Sequence, residues 1–212
     1  MGNILPILML IFAYLFGSIP FGVIVGKSKG IDIREHGSHN IGATNASRIL
    51  GPFFGVLVFI LDSIKGGFFV LISKLMIESS SELFTLNINP LYYGLAAFIG
   101  HLYPIFIKFK GGKGISTVAG ILAVYCFPMF LLALVFFLTF FIITKYVSVA
   151  STSCAIALFL SFVAFKINYV HLLIFCIIVS VLVIIKHIPN YKRLINHTEN
   201  KMYLFKNKKK SE

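Results

Sequence analysis

Residues 115–165 read ISTVAGILAVYCFPMFLLALVFFLTFFIITKYVSVASTSCAIALFLSFVAF, an apolar run too long for one membrane crossing and interrupted twice. A helix needs about 20 mainly apolar residues to cross the hydrocarbon core. Pro128 breaks the run once, and the Lys145-Tyr146 pair breaks it again. The division yields three spans, at Ile115–Tyr125, Pro128–Thr144 and Val147–Phe165, the first shorter than a full crossing. How this stretch is cut decides whether the number of crossings is odd or even.

On either side, the apolar runs Ile4–Gly26, Gly51–Ile77, Pro90–Ile107 and Val170–Ile185 each read as a further span. The total is seven. The first run lacks a basic leader and a small-residue cleavage site, so it reads as a retained helix and not as a removed signal peptide. The sequence therefore predicts an all-α integral membrane protein with seven transmembrane helices. Residues 1–212 form one polytopic domain, with a basic tail over residues 194–212.

Charge sets the orientation. With the N-terminus outside and the C-terminus cytoplasmic, all of the 19 basic residues but Lys65, Lys74 and Lys166 fall in cytoplasmic segments. The outer loop around Glu78–Asn89 holds two glutamates and no Lys or Arg. This is the positive-inside pattern, and a six-span arrangement puts the tail on the wrong side. Composition agrees: 58% of the 212 residues are hydrophobic and 12% charged. The net charge of +12 sits between and after apolar runs, which fits anionic headgroups or substrates and excludes nucleic acid. The run Lys206–Lys210 reads as a solvated end near anionic lipid. Cys126, Cys154 and Cys176 lie in apolar runs at spacings that suit no metal, and read as free buried thiols.

Four polar segments carry chemistry. The first, Asp32–Arg48, combines Gly37 and Gly42 with Ser38, Asn40, Thr44 and Asn45 and ends in Arg48. Glycines let backbone N–H groups approach an anion, and Arg48 offers a planar fork to a phosphate. The second, Phe109–Thr117, places Gly111, Gly112, Lys113 and Gly114 at the start of a helix, where backbone donors and a lysine cradle phosphate. It is no nucleotide loop, since Ile107 stands where the first glycine is needed and Gly114 where Ser or Thr is needed. The third, Asp62-Ser-Ile-Lys65, puts two opposite charges one helical turn apart inside a span, where ionisable groups are costly. The fourth, Lys186–Arg193, contains His187 and Asn190 at a membrane edge, where His187 reads either as a hydrogen-bonding interfacial residue, the commoner case, or as a group that exchanges a proton near neutral pH. His101, in Gly-His-Leu-Tyr-Pro (100–104), must face protein or water and not lipid.

Other chemistries lack their residues. No histidine has Asp five positions later, the only aspartates are Asp32 and Asp62, and no Gly-x-Ser-x-Gly elbow occurs.

Together the segments Gly-Ser-Ile-Pro (17–20), Gly-Ser-His-Asn-Ile-Gly-Ala-Thr-Asn (37–45), Asp-Ser-Ile-Lys-Gly (62–66), Gly-His-Leu-Tyr-Pro (100–104) and Phe-Lys-Gly-Gly-Lys-Gly (109–114) resemble the bacterial acyl-phosphate:glycerol-3-phosphate acyltransferases. Lys186–Arg193 and Thr198-Glu199 extend the match over nearly the whole chain in order. The resemblance implies an enzyme of phospholipid synthesis in the bacterial plasma membrane, with its site on the cytoplasmic side. It would make 1-acyl-glycerol 3-phosphate from acyl phosphate and glycerol 3-phosphate, with no metal, cofactor or acyl-CoA, coupled to a soluble enzyme that supplies acyl phosphate. By that resemblance Ser38, Arg48, Lys113, His187 and Asn190 fall on positions important for activity. Gly37, Asn40, Gly42, Thr44, Asn45 and the turn Gly111–Gly114 fall in the substrate-binding loops. Two positions depart from the family's habit: His39 stands where glycine is usual, and Pro189 where a charged residue is usual.

Two other readings compete. A transporter for a phosphorylated metabolite suits seven apolar helices, but no internal repeat is present and the glycine loops lie at the membrane edge. A structural subunit bound to anionic lipid through its tail leaves the loop motifs unexplained.

Overall fold

The computed structural model describes residues 4–79, 88–164 and 169–202, and every regular element among them is helical. Lys166, Lys206–Lys210 and residues 80–87 of the expected outer loop lie outside the described residues. In chain order the elements are α1 (Ile4–Gly17), α2 (Phe21–Lys27), α3 (Ala43–Leu50), α4 (Pro52–Glu78), α5 (Pro90–Leu102), a 3-10 turn (Ile105–Ile107), α6 (Ile115–Tyr125), α7 (Phe127–Thr144), α8 (Val147–Ala164) and α9 (Val170–Ile195).

Among the described residues, five stretches are long and apolar enough to cross a membrane: Ile4–Lys27, Pro52–Glu78, Pro90–Ile107, Phe127–Thr144 and Val170–Ile195. The apolar helices Ile115–Tyr125 and Val147–Phe162 are shorter. At 1.5 Å per residue α6 rises only about 16 Å, half of a hydrocarbon core of about 30 Å. Large apolar side chains such as Ile11, Ile60, Ile64, Leu71, Ile142 and Ile177 point out of the bundle, as a lipid-facing surface requires.

Local chemistry explains the boundaries. Pro128 lies in the first turn of α7, where its missing N–H is no loss. Lys145 ends α7 in the left-handed region at φ 61°. Three boundaries differ from the sequence reading. The first span is broken between α1 and α2, because Pro20 disfavours helical geometry at Ile19. The last third of the polar segment 32–48 is helical, as the start of α3, and not a loop. The last helix continues past Ile185 and through Pro189 to Ile195. A proline forfeits one backbone hydrogen bond. Contacts around it compensate: Lys186 donates to Leu102 O at 3.1 Å, and His187 and Asn190 are buried.

Neighbouring helices reveal their relative directions. Ser63 donates to Ser116 O at 2.9 Å and Lys74 to Val124 O at 3.2 Å, so α4 and α6 run the same way. Tyr92 meets His171 at 2.9 Å, while Lys186 meets Leu102, so α5 and α9 also run together. Small residues let α4 and α6 touch backbone to backbone, as in many membrane helix pairs. A Cβ at Gly120 would lie 1.9 Å from Ser63 O, and one at Gly66 would lie 2.1 Å from Thr117 O. A charge pair lies within α4 beside this seam. Lys65 Nζ lies 2.8 Å from Asp62 Oδ1 and donates to Ile19 O at 2.8 Å, satisfying a carbonyl at the break between α1 and α2.

The seam yields a prediction. Gly120→Val should cost more than about 2 kcal/mol, since overpacking here meets rigid backbone. Ile64→Ala, on the lipid-facing side of α4, should stay within about 0.5 kcal/mol. Thermal unfolding in detergent micelles measures both, and an unchanged Tm for Gly120→Val would disprove the contact.

Candidate active site

Two separate loops and two distant helices converge on one cavity of about 310 Å³. Its polar end is lined by Ser38, Asn40, Arg48, Lys113, His187 and Asn190, with Gly42, Thr44, Asn45 and Gly114 among them. Its apolar part is lined by Leu122, Phe130, Leu134, Phe137, Leu158 and Val179 from α6, α7, α8 and α9. The space therefore has a cationic head and a greasy body. Gly37, Gly111 and Gly112 do not line it; they shape the loops behind it.

The first loop is held by its own side chains. Asn45, buried at the start of α3, accepts from Ser38 N at 2.9 Å. It donates to Ile33 O at 2.8 Å and to His36 O at 3.1 Å. Both amide hydrogens are thus committed, so Asn45 builds the loop and keeps no donor for a ligand. Asn40 Oδ1 accepts from Gly42 N at 2.9 Å, and its amide hydrogens have no partner among the described residues. At the loop's base Arg34 clasps Asp32, Nε to Oδ1 at 2.9 Å. His39 adopts φ 56°, so it takes the left-handed backbone that glycine adopts readily, and its Nδ1 sits 2.9 Å from Arg34 O.

The second loop is fitted over α5. Gly112 N donates to His101 O at 3.1 Å. A Cβ at Gly111 would sit 2.1 Å from His101 O, and one at Gly112 would sit 2.2 Å from His101 Nε2. Only glycines allow this approach, which carries Lys113 to the first residues of α6. Lys113 Nζ then donates to Asn190 Oδ1 at 2.6 Å, joining the loop to α9.

Beyond Asn190 stands Glu199, in the segment that folds back after α9. Glu199 accepts from Asn190 Nδ2 at 2.7 Å, Arg193 Nε at 2.6 Å and Ser148 Oγ at 3.0 Å. Sequence reasoning noted Glu199 only as an extension of the resemblance and gave it no place in the site. Its local signal is a carboxylate set among the basic residues of the tail. Ser148, which lies in an apolar helix, had no signal.

Electrostatics follow from burial. Burial pushes the Lys113 ammonium down to about 8; Glu199 pulls it back, while Arg193 and Arg48 push it further down. Burial raises the Glu199 carboxyl, but the hydrogen bonds from Asn190, Arg193 and Ser148 outweigh it and hold the group below its ordinary value. Burial also lowers the Arg48 guanidinium, with Glu199 offsetting part of the effect. The Arg48 guanidinium makes no hydrogen bond among the described residues, so its donors remain available to the cavity that it lines. His187 Nδ1 lies 2.8 Å from Val183 O, which fixes the proton on Nδ1 and leaves Nε2 as the acceptor of the neutral ring.

The chain is similar to known proteins over almost its full length. The family model described as "Glycerol-3-phosphate acyltransferase" matches residues 7–197. A "Glycerol-3-phosphate acyltransferase 2" of Bacillus cereus is 42% identical over 203 residues, covering 95% of this chain and 98% of the relative. The "Glycerol-3-phosphate acyltransferase" of Bacillus subtilis is 43% identical over 196 residues, covering 92% and 96%. A crystal structure described as PlsY (YgiH), an integral membrane glycerol 3-phosphate acyltransferase in its glycerol 3-phosphate form, matches with a TM-score of 0.83 and 38% identity. That match covers 93% of this chain and 95% of the other. The lysophosphatidic acid form of the same protein matches with a TM-score of 0.81 and 38% identity over the same shares. With a family match and similarity over almost its full length, the chain belongs to the glycerol-3-phosphate acyltransferase family.

Proposed function

We propose that this glycerol-3-phosphate acyltransferase takes its acyl group from an acyl phosphate, releasing phosphate and leaving 1-acyl-glycerol 3-phosphate for phospholipid synthesis. One observation carries the choice of donor. Arg48 and Lys113, each without a carboxylate partner of its own among the described residues, line a cavity that also has a large apolar part from α6, α7, α8 and α9. Two cations suit two phosphates, and the apolar body suits one acyl chain.

An acyl phosphate is already activated, so the protein chiefly has to hold two anions together and aim a hydroxyl at the carbonyl. The hydroxyl oxygen forms a bond to the acyl carbon, and the bond from that carbon to the phosphate oxygen breaks. Arg48 and Lys113 offset the mutual repulsion of the substrates and the charge that builds in the transition state. Ser38 and the free amide of Asn40 supply neutral donors at the same end. Asn190 orients Lys113, and Glu199 holds Asn190. The proton goes either to His187 Nε2 or to a phosphate oxygen of the substrates.

We also propose seven crossings, with the N-terminus outside and the active site on the cytoplasmic side of the bacterial plasma membrane. Three observations support this: the positive-inside charge distribution, the shared direction of α4 with α6, and that of α5 with α9. A soluble enzyme that makes acyl phosphate would then deliver it to the same face. Family membership leaves the transporter reading without an observation in its favour.

The site reading is tested with purified protein, glycerol 3-phosphate and palmitoyl phosphate, following lysophosphatidic acid. Lys113→Ala and Arg48→Ala should each lower kcat/KM by about 1,000-fold or more while eluting as folded protein in detergent. Near-normal rates in both would misplace the two-phosphate site. In the wild type, Lys113 is charged below about pH 8 and neutral above it, so kcat/KM should fall as pH rises through that value. Lys113→Arg should move the alkaline limb to higher pH, and a limb that stays in place belongs to another group. His187→Ala separates the two proton acceptors. A loss of about 100-fold or more with an altered acidic limb assigns the proton to the ring. A modest loss with an unchanged profile assigns it to phosphate.

A further inference from the structure

The charge pair inside α4 and the histidine at the end of α5 serve no step described so far, yet they reach the cavity. Asp62 and His101 line it, although each is almost fully buried. His101 Nδ1 lies 3.7 Å from Asp62 Oδ1 and has no hydrogen-bond partner among the described residues. Asp62 is fixed in turn by Lys65 at 2.8 Å, and Lys65 is tied to Ile19 O. On the far side, His101 presents both its carbonyl and its Nε2 to the glycine turn. The chain of contacts runs from the break between α1 and α2, through Lys65, Asp62 and His101, to Gly111 and Gly112. One residue later comes Lys113.

Packing alone does not explain a buried aspartate, lysine and histidine here. Well-packed apolar residues in such a place are often neutral or stabilising, and ionisable groups inside a membrane bundle are expensive. The ring also sits where any side chain on Gly112 would strike it, so its orientation sets how low the turn can lie.

We propose that His101, packed beside Asp62, is a positioning residue for the phosphate site: its ring and carbonyl fix the Gly111–Gly112 turn and so place the Lys113 ammonium. Lys65 neutralises Asp62 and anchors it to the first membrane span. The inference rests on Lys113 as a phosphate ligand, and a displacement of about 1 Å at such a ligand costs about 100-fold in rate.

The test compares His101→Leu, His101→Gln and Asp62→Asn with Lys113→Ala, all measured with glycerol 3-phosphate and palmitoyl phosphate varied in turn. His101→Leu should raise the KM for one phosphate substrate and lower its kcat/KM by about 100-fold. The KM for the other substrate should stay within about threefold. His101→Gln, which keeps a polar group toward the turn, should recover most of the loss, and Asp62→Asn should fall between them. Monodisperse elution and Tm in detergent confirm folding; if His101→Leu does not fold, the Asp62→Asn and His101→Gln kinetics decide. A fall in kcat with both KM values unchanged would mean only a smaller folded fraction and would overturn the inference, as would wild-type kinetics. If Lys113→Ala itself stays active, the phosphate-site reading fails. If Lys113→Ala is inactive while the His101 and Asp62 variants are normal, the positioning role alone fails.

Discussion

The hydrogen bond from Lys113 to Asn190, at 2.6 Å, is the constraint on which the site depends. It joins a glycine turn before α6 to the face of α9, two elements far apart in sequence. Asn190 is held by Glu199, and Glu199 also gathers Arg193 and Ser148. The last helix, the fold-back after it and α8 are therefore tied to the lysine as one body. An amide in the middle has a plain advantage over a second carboxylate. It orients the ammonium without neutralising it, so the charge remains available to an anion.

The protein's own groups leave the charge of the cavity unbalanced. Arg193 has its carboxylate at 2.6 Å, while Arg48 and Lys113 share the same Glu199 only at a distance. Burying uncompensated charge costs several kcal/mol per ion. Anionic substrates relieve that cost as they enter, which makes their binding partly the completion of the fold. The same physics explains the scarcity of acids: a further carboxylate would stabilise the protein alone and repel its ligands.

Much of this was readable beforehand, for reasons that can be named. Pro128 and Lys145 mark real helix ends, and the one-turn spacing of Asp62 and Lys65 does give an ion pair at 2.8 Å. Arg48, Lys113, His187 and Asn190 do line one cavity. What sequence missed depends on contacts between distant residues. Pro189 signals a helix end by local rules, yet burial of its neighbours carries α9 onward. Asn45 carries the composition of a phosphate ligand, but Ile33 O and His36 O take both its donors. Glu199 looks like one more surface charge until the chain folds back and sets it against α8.

The short α6 has a geometric consequence. It starts beside Asp62 and Ser63, about ten residues past the start of α4, which at 1.5 Å per residue is about 15 Å down that helix. The glycine turn and its lysine thus lie part-way along α4 and not level with its start, deeper than the edge position that the sequence suggests. In the proposed reaction glycerol 3-phosphate would descend along α4 to reach the lysine, and the acyl chain of the donor would extend from that level between the apolar walls of α6 to α9. The length of one helix would thus set the level at which the two reactants meet.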